Sequence, residues 1–211
     1  MTNHSKALRA LAVGTLIIGS LLAGAAPPAK AQKSPEKIRL TSQSKEGAVL
    51  IKVDTIPADH QLFFQKSGES GFGSRVYIMN VAPSPRHETY IARTLKPGRY
   101  RLASIWQQKR WGLLFPHDTI EFDVSGGTVT YLGKLDTFTL LKALQADAVA
   151  AGKTVSVVAG SGYSTDKHGL RPVLNQRDDI SLAEARTFAT RTMQVPDSMI
   201  QLGQIYTDGP K

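Results

Sequence analysis

From Val49 to Leu135 the chain is dominated by period-two alternation of apolar and polar residues. Val49, Ile51 and Val53 form one row, with Leu50, Lys52 and Asp54 between them. Ile120, Phe122 and Val124 point one way and Thr119, Glu121 and Asp123 the other. Such alternation marks strands with one face on a core. The same reading gives strands at Gln61 to Lys66, Arg75 to Val81 and His87 to Leu95, and a short one at Ile38 to Leu40. After Pro97-Gly98, the row Tyr100, Leu102, Ser104 and Trp106 opposes Arg99, Arg101, Ala103 and Ile105. Val129, Tyr131 and Leu135 make a further inward row, with Gly133 where a side chain would stand. A lone glycine in a strand predicts a bulge or a close backbone approach.

The breaks between these runs carry turn chemistry. Lys96-Pro97-Gly98 suits a type II turn, because proline presets the first φ and glycine accepts the positive one. Ser125-Gly126-Gly127 suits a tight hairpin. Gly68 to Gly73 is a glycine-rich connection that lacks the spacing of a phosphate-binding loop or a nucleophile elbow. Short strands divided by Pro and Gly turns predict a mainly β protein built as an antiparallel β-sandwich, not βαβ units.

Pro97-Gly98-Arg99-Tyr100-Arg101-Leu102 resembles the Pro-Gly-x-Tyr-x-Leu turn and strand of transthyretin-like, carboxypeptidase regulatory-type β-sandwiches. Gly126 to Gly133, reading Gly-Gly-Thr-Val-Thr-Tyr-Leu-Gly, is similar to the matching strand in bacterial envelope proteins of that type. The resemblance spans Gly47 to Leu135. It implies the fold and is silent on mechanism. Many members of such groups are lipoproteins, but this chain contains no cysteine, which excludes a lipid anchor.

Beyond Leu135 the pattern changes. Thr139 to Ala151 is rich in Ala and Leu and predicts a helix ending before Gly152, although Phe138 to Leu141 would also extend a strand. Thr154 to Ala159 reads as a strand and Gly160 to Gly169 as a polar loop. Ser181 to Met193 is an amphipathic helix, with Ser181 and Glu184 in capping-box spacing and Pro196 beyond its end. The expected organisation is therefore a signal peptide at 1–31, a β-sandwich at 32–136 and a C-terminal α/β extension at 137–211. The helix face of the extension is expected to pack on the sandwich.

The amino terminus changes the setting. His4, Lys6 and Arg9 precede an apolar run from Leu11 to Ala26, and Ala29-Lys30-Ala31 fits a small-x-small cleavage site. The run is short and glycine-interrupted for a spanning helix. Export to the periplasm or medium with cleavage near Ala31 is the expectation, the alternative being retention as an anchor. Without cysteine there are no disulfides, no thiol catalysis and no thiolate metal site. The formal charge is +9, and residues 1–31 carry three of the cations and no acid, leaving +6. A basic exported protein is drawn to anionic polymers and surfaces. Nucleic acid is not expected, since no binding motif for it is present.

Three chemistries remain. Trp106 and Trp111 bracket Lys109 and Arg110 in a loop between strands, a combination suited to stacking on sugars and pairing with carboxylates or phosphates. The competing reading puts Trp106 in the core and Trp111 at the loop base. If the loop binds, Trp111→Ala should weaken envelope association without unfolding the protein. Metal binding is not expected: His60, His87, His117 and His168 lack ligand spacing. The loop from Ser161 to His168 crowds Ser, Asp and His together, but such residues are also ordinary loop composition. The leading expectation is a non-catalytic envelope module without cofactor, peripheral to the membrane, with an anionic envelope polymer or an envelope protein as partner. A hydrolase using the 161–168 loop and an assembly protein using open sheet edges are the alternatives.

Overall fold

The computed structural model describes residues 34–56, 58–69, 76–84, 86–116, 119–153, 162–166 and 170–207. Two sheets face one another. In the first, β1 (Gly47–Asp54) pairs antiparallel with β4 (Glu88–Leu95), in register from Gly47↔Leu95 to Asp54↔Glu88. On its other side β1 runs parallel to β8 (Val129–Leu135). In the second, β2 (His60–Lys66) lies between β3 (Val76–Val81) and β5 (Gly98–Gln107), both antiparallel to it. The far side of β5 is shared by β6 (Trp111–Leu114) and β7 (Glu121–Val124). The protein is thus mainly β, a sandwich with its helices in the C-terminal part.

The alternating rows meet between the sheets. Val49, Ile51 and Val53 pack against Leu62, Phe64, Tyr100, Leu102 and Phe122, all buried. Phe64 meets Phe122 edge-on at 5.8 Å, a favoured aromatic geometry. The Tyr100 hydroxyl donates to the Lys96 carbonyl at 2.8 Å, closing the turn before its own strand. Both predicted turns are corrected: Gly98 has positive φ, but at 147° it opens β5 in a more extended conformation than the type II turn requires. Gly127, at 69°, has the expected sign but sits in a crossover from β7 in the second sheet to β8 in the first, not in a hairpin, because the inward rows of the two strands face each other across the core.

α1 (Thr137–Ala150) follows β8 directly. Asp136 accepts the Thr139 amide at 3.0 Å and caps it, and Leu140, Leu141 and Leu144 enter the core between the sheets. The helix outcome at 139–151 follows from that apolar face, and Gly152 at φ 70° closes the helix.

α2 (Asp179–Phe188) continues as a π-turn at Ala189–Met193. It lies on the outer face of the first sheet, where Ala185, Ala189 and Met193 meet Leu50, Ala92 and Tyr131 in a second core. Phe188 stacks on Tyr90 at 4.6 Å. The cap differs from expectation. Asp178 is the capping residue and Ser181 its partner three positions on, with Ser181 N to Asp178 Oδ1 at 2.8 Å and Asp178 N to Ser181 Oγ at 3.2 Å. Glu184 instead reaches Lys52 at 3.6 Å. The predicted strand at Ile38–Leu40 is also absent: a 3-10 turn at Pro35–Lys37 leads into unpaired chain whose Ile38 and Leu40 are buried in the second core.

The C-terminal part enters both sheets. β10 (Leu174–Asn175) and β11 (Ile200–Leu202) share the outer edge of β8. β9 (Tyr163–Thr165) runs parallel to β6, and β12 (Ile205–Tyr206) pairs with β7. Gly133 sits where β10 and β11 meet, at φ 101°, and a Cβ there would lie 2.6 Å from the Asn175 carbonyl oxygen. The Arg177 guanidinium spans the gap, donating to the Leu132 and Gly203 carbonyls at 2.6 and 2.5 Å. This is the close approach that the lone strand glycine predicts. The predicted strand at Thr154–Ala159 and the signal segment lie outside the described residues.

Candidate functional site

The predicted site falls on one hairpin. β5 and β6 are joined by three residues, Gln108 to Arg110, with the Arg110 amide donating to the Gln107 carbonyl at 2.9 Å. Gln108 and Lys109 adopt φ of 49° and 56°. Positive φ at both central positions is the mirror-image turn that hairpins favour, here without the usual glycine. Each such non-glycine residue costs of order 1 kcal/mol. The turn is held by β2 and its lead-in: Lys109 N donates to Gln61 Oε1 at 3.2 Å, and Gln108 N to the Asp59 carbonyl at 2.9 Å. Gln61 is itself fixed by its bond to Asp59 at 3.1 Å.

The two tryptophans part company. Trp111 is 3% exposed and belongs to the core between the sheets, so it offers no ring to a ligand. The expectation that Trp111→Ala would spare the fold is therefore corrected: it removes a core side chain. Trp106 goes the other way because β5 carries a bulge. Phe64 pairs with Leu102 but Phe63 pairs with Ser104, so Ala103 is an extra residue on β5. A bulge shifts the alternation by one. Tyr100 and Leu102 point inward as predicted; beyond the bulge Ile105 takes the inward place and Trp106 turns outward.

Trp106 is held there from three sides. Its Nε1 donates to Ser104 Oγ at 3.0 Å. Its ring lies 6.0 Å from Phe63 and directly over Gly112, where a Cβ would come within 2.5 Å of the indole. Phe63, Gln65, Val76, Trp106, Lys109 and Leu114 line a shallow depression of about 370 Å3 on the outer face of the second sheet. Val76 and Leu114 are 37% and 39% exposed. Among the described residues no hydrogen bond or ion pair engages the Lys109 ammonium. Arg110 lies beside the turn, its carbonyl accepting the Tyr163 amide at 3.0 Å. Phe63, Gln65 and Leu114 carry no signal of their own in sequence, since their role depends on which strands become neighbours.

The rest of this face is electrostatically matched. Arg99 meets Asp123 at 3.0 and 3.2 Å, and its guanidinium lies 3.9 Å over the Tyr206 ring. The Arg99 hydrogen bond holds the Asp123 carboxyl below its ordinary range. Arg101 bonds Gln65, and burial pulls its guanidinium below its ordinary value.

The other candidates fare differently. Tyr163 to Thr165 forms β9, while Ser161 and His168 lie outside the described residues. His60 is fully buried on the inner face of β2, and His87 is exposed near the start of β4. Among the described residues no three His, Asp or Glu side chains gather as for a metal ion. Among the same residues no helix is long and apolar enough to cross a membrane. The edges of β6, β7 and β8, open in a bare sandwich, are occupied by β9, β12 and the pair β10 and β11.

Comparison with protein-family models, with curated proteins and with solved structures returns no match. The transthyretin-like resemblance therefore rests on the residues quoted for it.

Proposed function

We propose that the protein is an exported, non-catalytic envelope module that binds an acidic polysaccharide across the outer face of β2, β5 and β6. The observation that carries this reading is the bulge at Ala103, which aims Trp106 outward beside a Lys109 whose ammonium has no partner among the described residues. An indole held flat on a glycine gives a sugar ring a platform, and an ammonium at its end pairs with a uronate carboxylate. A pre-positioned ring loses little rotamer freedom on binding. The overall positive charge favours approach of a polyanion. The transthyretin-like resemblance and export with cleavage near Ala31 belong to the same reading.

The test is electrophoresis of the purified protein through gels containing polygalacturonate or neutral dextran. Retardation by polygalacturonate alone, relieved by salt, is expected. The Trp106→Ala/Lys109→Ala double variant should lose it while keeping the parent circular dichroism. Equal retardation of that folded variant, or none with the parent, would reject the reading. Cell fractionation with mass measurement tests export separately: a protein starting near Gln32 supports it, and an intact amino terminus overturns it.

A further inference from the structure

A second hollow, about 930 Å3, opens where β1 ends, the β3–β4 connection returns and α1 begins. Its acids are already engaged. Lys134 Nζ lies 2.9 Å from Asp54 Oδ1 and 2.5 Å from Glu88 Oε1. Burial pulls Lys134 down, but its bonds to Asp54 and Glu88 outweigh that and leave it above its ordinary value. Asp136 is committed to capping α1.

The rim is different. Arg86 and His87 are exposed, and among the described residues neither side chain has a hydrogen bond or ion pair. Their backbone, however, is fixed. The Thr55 hydroxyl donates to the Arg86 carbonyl, the Thr55 amide donates to the His87 carbonyl at 3.0 Å, and Arg86 N donates to Ser84 Oγ at 3.2 Å. Two basic side chains thus stand on a pinned loop beside a hollow whose acids are already engaged. Phe138, 51% exposed, adds an aromatic wall, and Ile56 and Pro83 add apolar surface. A bare phosphate would leave that apolar wall unused, and a neutral hydrocarbon would leave the guanidinium unpaired.

We infer that this hollow binds a small organic anion with a flat apolar body, its anionic group on Arg86 and its body against Phe138. Its volume lies in the range of small-molecule sites. Guanidinium and planar carboxylate form paired hydrogen bonds, and the aromatic wall contributes area. The site is separate from the Trp106 depression, with which it shares no lining residue.

Amide chemical shifts of the purified protein, titrated with naphthalene-2-carboxylate, test this. Shifts are expected at Thr55, Arg86, His87, Phe138 and Thr139. Inorganic phosphate and naphthalene-2-methanol, each with half of the required chemistry, should move these amides little. Arg86→Gln should weaken the carboxylate about tenfold, the effect of one charge-assisted contact. Phe138→Ala should weaken it severalfold, and Trp106→Ala should leave it unchanged. Both lining residues are exposed, so both variants keep the parent spectrum elsewhere. No shift at about 10 mM carboxylate, shifts centred on Phe63 and Trp106, or an equal response to phosphate would each overturn the inference.

Discussion

Leu50 and Phe63 hold comparable places in the two sheets. Each is mid-strand, and each points away from the interface between the sheets. Leu50 is fully buried, because α2 and its π-turn bring Ala185, Ala189 and Met193 over β1, β4 and β8. Phe63 is only partly covered, with Trp106 beside it and solvent beyond. Among the described residues, the amphipathic helix lies on one sheet and no helix covers the outer face of the other. A sheet buried on both faces is committed to packing. An antiparallel sheet with one wet face is free to carry polar pairs and a ligand surface. Phe63 and Trp106, partly exposed on that face, are the surface that the proposed polysaccharide would use.

The strongest way to break this contrast is to shorten both outward rows. Leu50→Ala removes a side chain enclosed by helix and sheet and should cost about 3 kcal/mol. Ile78→Ala, on the outer row of β3 opposite Phe63, should cost about 1 kcal/mol. Urea unfolding of the two variants gives both values. Equal losses would mean that α2 does not seal the first sheet.

The contrast concerns outer faces only, and His60 sharpens it, because the inner face of the open sheet is dry. Its imidazole is fully buried, and among the described residues neither ring nitrogen makes a well-formed hydrogen bond. Burial pushes it down to about 4, with the nearby Ala58 backbone, then Asp59 and Asp54, only partly offsetting that. A histidine with a depressed native value binds its proton first in the unfolded chain. Its contribution is therefore complete above pH 6.5 and fades as pH falls towards 4. Between pH 7 and 4.5 the protein should lose about 2.5 kcal/mol through this group. His60→Leu should remove that part of the pH dependence in urea unfolding. Glu88 and Asp123, held below their ordinary values, lose their contributions mainly towards and below the lower end of this window. An unchanged slope in the variant would contradict a buried neutral imidazole.

What was legible in the sequence follows from what is local. The rows of β1, β7 and β8, the positive φ of Gly98 and Gly127 and the apolar face of α2 are set by neighbours within a few positions. Gly133 announced a close approach, though not that Arg177 would make it. The bulge at Ala103 was hidden, because Leu102, Ser104 and Trp106 keep perfect alternation. It is visible only once β2 supplies partners, and it takes Trp106 out of the row in which alternation sets it with Tyr100 and Leu102. The hairpin turn was hidden for a related reason: Gln108 and Lys109 carry no glycine signal, and their positive φ is held by Gln61 and Asp59, far off in sequence. The strands β10 and β12 are two residues long, too short for any period to register. Arg86 and His87 gave no sign of sharing a hollow with Phe138, which lies in another part of the chain.

On the covered sheet, Gly133→Ala should cost about 2 kcal/mol. It combines a strained φ with a collision against the Asn175 carbonyl. Gly68→Ala is the control. Gly68 also has positive φ, at 82°, but nothing lies within 4 Å of a Cβ there, so it should cost about half as much. Thermal unfolding of the pair separates the strain from the collision. Equal losses would mean that β10 and Arg177 do not press on β8.

The smallest effect is expected where the open face is most distinctive. Trp106→Ala leaves the core between the sheets intact and should cost about 1 kcal/mol, since only partly covered surface is lost. The chain has two tryptophans, so their emission divides between this half-buried ring and the buried Trp111. In the parent protein, acrylamide should quench one fraction readily and the other poorly. In Trp106→Ala the accessible fraction should disappear, leaving blue-shifted, shielded emission from Trp111. Gly112→Ala gives the converse test. A Cβ there would press on the indole face at 2.5 Å and push the ring off its seat, changing the quenchable fraction without deleting it. If the emission lost with Trp106 were instead the shielded fraction, Trp106 would be the core residue. The bulge at Ala103 would then not exist in solution, and the open sheet would have no binding surface at this place.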